Sequence, residues 1–148
     1  MRELVQQGAR DRIVKATAER IVRAAGAPAG SLAALAALHR FVADEIAYER
    51  DPAGIEQLAT ARHTLEKRRE DCDGKATLLA ALVAALAHPA KVSFRAIATN
   101  PLKLSRFTHV FNVARLAGQV FPMDATYPGT PFGWQYGRIA RQVELPCS

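Results

Sequence analysis

Apolar residues recur at helical spacing in two stretches of the first third of the chain. In the first stretch the i, i+4, i+7, i+8 and i+11 positions are apolar, namely Val14, Ala18, Ile21, Val22 and Ala25. Gly26 and Pro28 then supply a stop signal. Ser31 suits the N-cap of a second helix that ends near Tyr48, with an apolar face of Leu35, Leu38, Phe41, Val42 and Ile46. A shorter helical pattern covers Ile55 to Leu65.

The segment from Cys72 to Ala87 is apolar on nearly every side. Its apolar positions include Ala76, Leu78, Leu79, Leu82, Val83 and Leu86, and His88-Pro89 ends the pattern. A helix that is apolar all round is a buried one. The sequence therefore predicts a central helix over these residues, with Asp71 and Asp73 at the positive end of its dipole.

After Pro89 the period changes to two, which is typical of β-strands. The first predicted strand alternates around Val92, Phe94, Ala96 and Ala98. A second runs from about Thr108 to Leu116, Ala117-Gly118 marks a turn, and a third covers Gln119 to Asp124. Residues 129–148 are rich in Pro, Gly and aromatic residues, and we expect an irregular tail there. Helices followed by an antiparallel meander indicate an α+β fold.

Composition and charge narrow the class of protein. The 148 residues fit one domain, and 49% are hydrophobic, enough for a packed core. The net charge of +6 is spread along the chain without a basic block, which favours ordinary surface over nucleic-acid binding. A weaker interpretation is attraction to an anionic polymer such as cell-wall material. We find no signal peptide or membrane span, so synthesis in the cytoplasm and no membrane partner are expected.

Three residues have the chemistry of a nucleophilic site. Cys72 opens the central helix, where unpaired N–H groups and the dipole stabilise a thiolate and an oxyanion. His109 opens the second strand and Asp124 closes the third. Because the start of one strand lies beside the end of the next in a hairpin, His109 and Asp124 should be neighbours. Taken singly, each residue also fits a structural role, and a metal site built from the three lacks the local spacing of zinc motifs.

Three sequence blocks resemble those of the transglutaminase-like, papain-type cysteine-enzyme superfamily. They are Glu-Asp-Cys-Asp-Gly-Lys-Ala-Thr-Leu-Leu-Ala-Ala-Leu (70–82), Thr-His-Val-Phe-Asn-Val (108–113) and Phe-Pro-Met-Asp-Ala-Thr-Tyr (121–127). The chain is most similar to the short form found in phages and prophages, with residues 1–128 as the domain. The resemblance implies a papain-like fold, no cofactor or metal, and a triad of Cys72 as nucleophile, His109 as base and Asp124 as orienting acceptor. Two positions depart from the family pattern, namely Glu70 before Asp-Cys and Ala125 after the Asp.

The resemblance implies a cysteine-dependent amide or isopeptide hydrolase, or an acyl transferase, that acts through a thioester. Its expected substrate is a peptide or protein amide, such as a cell-wall (peptidoglycan) peptide or a virion protein. The alternative is a virion-associated structural or adaptor domain that contacts other phage proteins through the C-terminal tail. That tail carries Phe132, Trp134 and Tyr136, and aromatic residues of this kind are enriched at interfaces.

Overall fold

The computed structural model describes residues 1–50 and 59–147. It contains five helices and six strands in the described part, in the order α1 (Arg2–Ala9), α2 (Arg12–Ala24), α3 (Leu32–Glu45), β1 (Ala47–Tyr48), α4 (Ala61–Lys67), β2 (Arg69–Glu70), α5 (Cys72–Ala85), β3 (Lys91–Ala98), β4 (His109–Leu116), β5 (Gln119–Met123) and β6 (Arg141–Pro146). The α+β fold expected from the sequence is confirmed. None of these helices is long and apolar enough to cross a membrane.

The central helix is α5, as its apolar pattern predicts. Helices α1 to α4 and the sheet pack around it. All residues from Gly74 to Val83 are buried, including Lys75 and Thr77. The Asp71 side chain caps the helix by accepting a hydrogen bond from the backbone N–H of Gly74 at 3.0 Å, which fixes Cys72 as the first helical residue.

Four strands form one antiparallel sheet in the order β5-β4-β3-β6. The hairpin between β4 and β5 turns at Ala117 and Gly118, whose φ angles are 52° and 78°. A two-residue turn with both φ values positive matches the right-handed twist of the strands. This tight turn aligns the two strands so that their far ends, at His109 and Asp124, lie together.

The two faces of the sheet have different coverings. One face packs on α5 through Val92, Phe94 and Ala114, which belong to the main core. On the other face Ile97, Phe111 and Val113 form a smaller cluster, against which Tyr136 and Ile139 pack. The segment before β6 therefore supplies the second covering of the sheet.

Three features differ from the sequence-based expectations. The prediction of an irregular tail is wrong for Arg141–Pro146, because these residues form β6 and pair with β3 from Ala98 to Ser93. Helix α1 was not predicted, although it lies against α5. Of the helical pattern at Ile55 to Leu65, residues 55–58 lie outside the described part and α4 begins at Ala61. Of these elements, β6 owes its structure to pairing with a distant strand rather than to a strong local period.

Candidate active site

Cys72 is half-buried at the N-terminus of α5. Its Sγ lies 3.8 Å from Oδ1 of Asp73. As the first residue of a long helix, Cys72 lies beside backbone N–H groups that have no partner within the helix. Such groups and the helix dipole favour negative charge, which suits both a thiolate and the oxyanion of a tetrahedral intermediate.

His109 and Asp124 meet at the end of the β4–β5 hairpin. The Nε2 of His109 lies 2.8 Å from Oδ2 of Asp124, and their side chains are 14% and 4% exposed. Burial disfavours the charged imidazole, but hydrogen bonds to Asp124 and Cys72 and the charges of both outweigh it and raise the pKa of His109 to about 9. Since Nε2 bonds to Asp124, Nδ1 is the ring nitrogen left for the thiol.

The structure therefore brings together the three residues that the sequence analysis selected. His109 hydrogen-bonds to Asp124, and its other side faces the cavity that Cys72 also lines, so that the thiol contributes to its raised pKa. This is the order that a nucleophile, a general base and an orienting acceptor require. No group of three or more His, Cys, Asp or Glu side chains in the described ranges is placed to hold a metal ion.

Both carboxylate oxygens of Asp124 accept hydrogen bonds. Besides His109, Oδ2 accepts from the hydroxyl of Tyr136 at 2.7 Å. Oδ1 accepts from the backbone N–H and the hydroxyl of Thr126, at 3.0 Å and 2.6 Å. Burial alone would raise the pKa of Asp124, but His109 and these donors lower it to about 2. Asp124 is therefore ionised across the neutral range and can hold His109 in one orientation.

Tyr136 is a site residue that sequence reasoning missed. It comes from the segment before β6, and its ring lies against His109 and Phe111, with centroid separations of 5.5 Å and 5.6 Å. Burial and the neighbouring carboxylate raise the pKa of Tyr136, so its hydroxyl stays a donor. The sequence shows an aromatic tail residue but no local signal of a contact with Asp124.

Two buried side chains fix the backbone around Asp124. His39 of α3 is 1% exposed, and its Nε2 lies 2.8 Å from the carbonyl oxygen of Asp124. Lys75 of α5 is also 1% exposed, and its Nζ donates to the carbonyls of Thr126 at 2.8 Å and Ile46 at 2.6 Å. Burial lowers the pKa of His39 and lowers that of Lys75 to about 8. The loop that carries Asp124 is thereby tied to both helices.

Glu70, which departs from the family pattern at the position before Asp71 and Cys72, is buried, with 3% of its surface exposed. Its carboxylate lies 3.6 Å from Nζ of Lys67 and accepts from the backbone N–H of Asp71 at 3.2 Å. The side chain lies over Gly74, where an added Cβ would be only 1.8 Å from Cγ of Glu70. Gly74 thus leaves the space that the buried Glu70 side chain occupies at the start of α5.

The fold and this arrangement define a papain-like α+β protein with a Cys-His-Asp site. The family model described as the transglutaminase-like superfamily matches residues 15–125. Since this is most of the chain, the protein belongs to that superfamily.

Comparison with solved structures supports the fold. The chain resembles the 1.9 Å crystal structure described as "a Putative Cysteine Protease from Cytophaga hutchinsonii", with a TM-score of 0.57 and 19% sequence identity. The alignment covers 88% of this chain and 42% of the other, so our chain spans less than half the length of that protein. A search of curated proteins finds no significant match.

Proposed function

We propose that the protein is a cysteine-dependent amide or isopeptide hydrolase with Cys72 as nucleophile, His109 as base and acid, and Asp124 as the residue that orients His109. The observation that carries the proposal is the hydrogen bond between His109 and Asp124 at the cavity that Cys72 lines from the N-terminus of the buried helix α5. This arrangement supports the three proposed roles.

The proposed reaction has two steps. In the first, the Cys72 thiolate attacks the amide carbonyl carbon, the C–N bond breaks, and His109 gives its proton to the leaving amine, which leaves a thioester. Since the pKa of His109 is about 9, the ring carries this proton at neutral pH. In the second step water attacks the thioester, His109 takes its proton, and the C–S bond breaks to release the acid. The thiolate and the protonated His109 are then restored.

Acyl transfer to an amine would follow the same first step. We favour hydrolysis because Cys72 is half-buried rather than enclosed, and a transferase must shield its thioester from water. A cell-wall peptide and a virion protein, the substrates that the family resemblance suggests, belong to this proposal. So do synthesis in the cytoplasm and a phage origin.

A virion-associated adaptor is the second candidate, and the exposed aromatic residues favour it. Trp134 and Tyr127 are 43% and 53% exposed. Against this, Tyr136 bonds to Asp124 and β6 pairs with β3, so much of the C-terminal segment lies on the protein's own core. That packing supports a self-contained enzyme more than a projecting assembly arm.

The test is the rate of Cys72 alkylation by iodoacetamide as a function of pH, in a Cys147→Ser background. Cys147 is 4% exposed, and burial raises its pKa to about 12. Its replacement by Ser leaves Cys72 as the one thiol that can be labelled and does not change a residue of the site. We expect rapid labelling near pH 6, where an ordinary thiol with a pKa of about 8.5 is almost entirely protonated.

Substitution His109→Ala should abolish this rapid labelling. The matched control is His63→Ala, because His63 is an exposed residue of α4 and does not line the site. If Cys72 is inert, or reacts as an ordinary thiol whether or not His109 is present, the hydrolase proposal is wrong and the adaptor function takes its place.

A further inference from the structure

A cavity of about 620 Å³ opens directly beside Cys72 and His109. This volume lies within the range of about 300–1,000 Å³ typical of sites for small ligands. Its walls are mostly apolar and include Phe94, Ala96, Phe107, Val110, Leu145 and Pro146. We call this cavity the apolar pocket.

The apolar pocket is built largely on paired strands. Ala96 of β3 lies opposite Val110 of β4, and Phe94 of β3 lies opposite Leu145 of β6. Phe94 is 3% exposed and belongs to the main core, whereas Leu145 is 60% exposed and stands at the open side. Since strand pairing fixes these positions, much of the wall is formed before any ligand binds.

The loop between β3 and β4 completes the wall with Phe107. The guanidinium of Arg141 lies 5.4 Å from the centre of the Phe107 ring, and Arg141 Nη1 donates to the carbonyl of Leu104 at 3.4 Å. The first residue of β6 thus holds this loop against the pocket. A cation over an aromatic face is attractive and restrains the ring.

Little net charge faces the apolar pocket apart from His109. Arg2 and Asp73 are the other charged side chains among its lining residues, and their charges are opposite. Asp73 also lies next to the sulfur, 3.8 Å from Sγ of Cys72. An acidic substrate side chain would lose its hydration against the apolar walls, which is unfavourable.

We propose that the apolar pocket binds a large aliphatic or aromatic side chain on the acyl part of the substrate, at the residue that supplies the scissile carbonyl or the one before it. Consecutive Cα atoms lie about 3.8 Å apart, so a carbonyl at Cys72 brings one of these two side chains to the pocket. The inference rests on the proposed hydrolase function and specifies its substrate class. Ala96, Phe107 and Leu145 are then specificity-determining residues.

The experiment measures covalent labelling of Cys72 by N-acetyl-dipeptidyl chloromethyl ketones in the Cys147→Ser protein, followed by intact mass. Phe, Leu, Gly or Glu is placed at one position of the probe, with Gly at the other, and then the positions are exchanged. Each rate is divided by the rate of the same protein with iodoacetamide, which carries no side chain. At one position we expect Phe or Leu probes to react at least about tenfold faster than Gly and Glu probes, since one methylene in a hydrophobic pocket changes rates by about 10–200-fold.

Two variants link the preference to the pocket. Ala96→Phe fills the space and should reduce the Phe and Leu rates to that of the Gly probe. Leu145→Ser, at an exposed position that folding tolerates, should lower the same preference. Its matched control is Val120→Ser on β5, which is 47% exposed and does not line the pocket, and which should keep the full preference.

The outcomes separate this inference from the proposed function. If iodoacetamide labels an activated Cys72 but the probes show no apolar preference, or Glu or Gly is preferred, the pocket inference is overturned and the hydrolase proposal stands. An unchanged preference in both Ala96→Phe and Leu145→Ser overturns it as well. If Cys72 is not activated towards iodoacetamide at all, both the function and the pocket inference fail.

Discussion

Asp124→Asn tests most directly how the site is built, because it keeps the shape of the side chain and removes its charge. Asp124 provides the main hydrogen bond and charge that raise the pKa of His109 to about 9, against an ordinary value of 6.5. Without that charge, burial should return the pKa of His109 towards 6.5 or below. Only the hydrogen bond and charge of Cys72 would still oppose the fall.

The size of the effect follows from the pKa. The difference between about 9 and 6.5 corresponds to about 3.4 kcal/mol in favour of the protonated ring, at about 1.36 kcal/mol per pKa unit. His109 is 14% exposed, so solvent screens this interaction little. Burial works against the protonated ring and Cys72 works in its favour, so about 3.4 kcal/mol sets the order of magnitude of the charge-dependent loss in Asp124→Asn.

The sign of the pH dependence is fixed by the same values. Because the pKa of His109 is raised in the folded protein, protonated His109 contributes its full stabilisation below pH 6.5. This contribution is lost as the pH rises through about 9. Because the pKa of Asp124 is lowered in the folded protein, ionised Asp124 contributes its full stabilisation above pH 3.8. This contribution is lost as the pH falls through about 2. The difference in unfolding free energy between parent and Asp124→Asn should therefore be largest between these limits, from about pH 4 to 6.5.

Two measurements check this prediction. NMR titration of the imidazole resonances gives the pKa of His109 directly, and urea unfolding at several pH values gives the stability difference. Glu49→Gln is the control, since Glu49 is a surface carboxylate paired with Arg69. A His109 pKa near 6.5 in the parent, or one that stays near 9 in Asp124→Asn, would refute the reasoning.

Three further substitutions or deletions test the packing around the site, each by urea unfolding. Gly74→Ala should destabilise the protein by about 1–3 kcal/mol, because the new Cβ meets Glu70 at 1.8 Å, although Ala favours helices by about 1 kcal/mol. Asn112→Leu should stabilise it by about 1–3 kcal/mol, because neither buried amide atom of Asn112 has a hydrogen-bond partner in the described part of the chain. Deletion of residues 141–148 should abolish cooperative unfolding, because it removes β6 and leaves β3 as an open edge.

The chain offers controls for these variants. Gly137→Ala places a Cβ where no atom lies within 4 Å, so it should be close to neutral, and equal effects at Gly137 and Gly74 would contradict the role of Glu70. A lower stability of Asn112→Leu would show that the amide is paired in solution. If the protein without residues 141–148 still unfolds cooperatively with unchanged stability, β6 is dispensable and the predicted boundary after residue 128 is the better description.

Strong local periods explain why much of the fold could be predicted. Helix α2 has a well-defined apolar stripe, α3 begins directly after its Ser31 cap, and α5 is apolar all round. The hairpin of β4 and β5 follows from alternation and from a turn at Ala117-Gly118. By contrast, β6 has a weak pattern, because it is an edge strand with largely exposed residues.

Spacing within short stretches of sequence is enough to predict the central helix, the hairpin and Cys72, His109 and Asp124 as candidate site residues. By contrast, the hydrogen bond from Tyr136 to Asp124, 12 residues away, and that from Lys75 to the carbonyl of Thr126, 51 residues away, arise only in the folded protein. The fold also places β3, β4 and β6 side by side along the apolar pocket. Such contacts leave no local pattern, since they arise only when the chain closes around its core and brings distant segments within hydrogen-bonding distance.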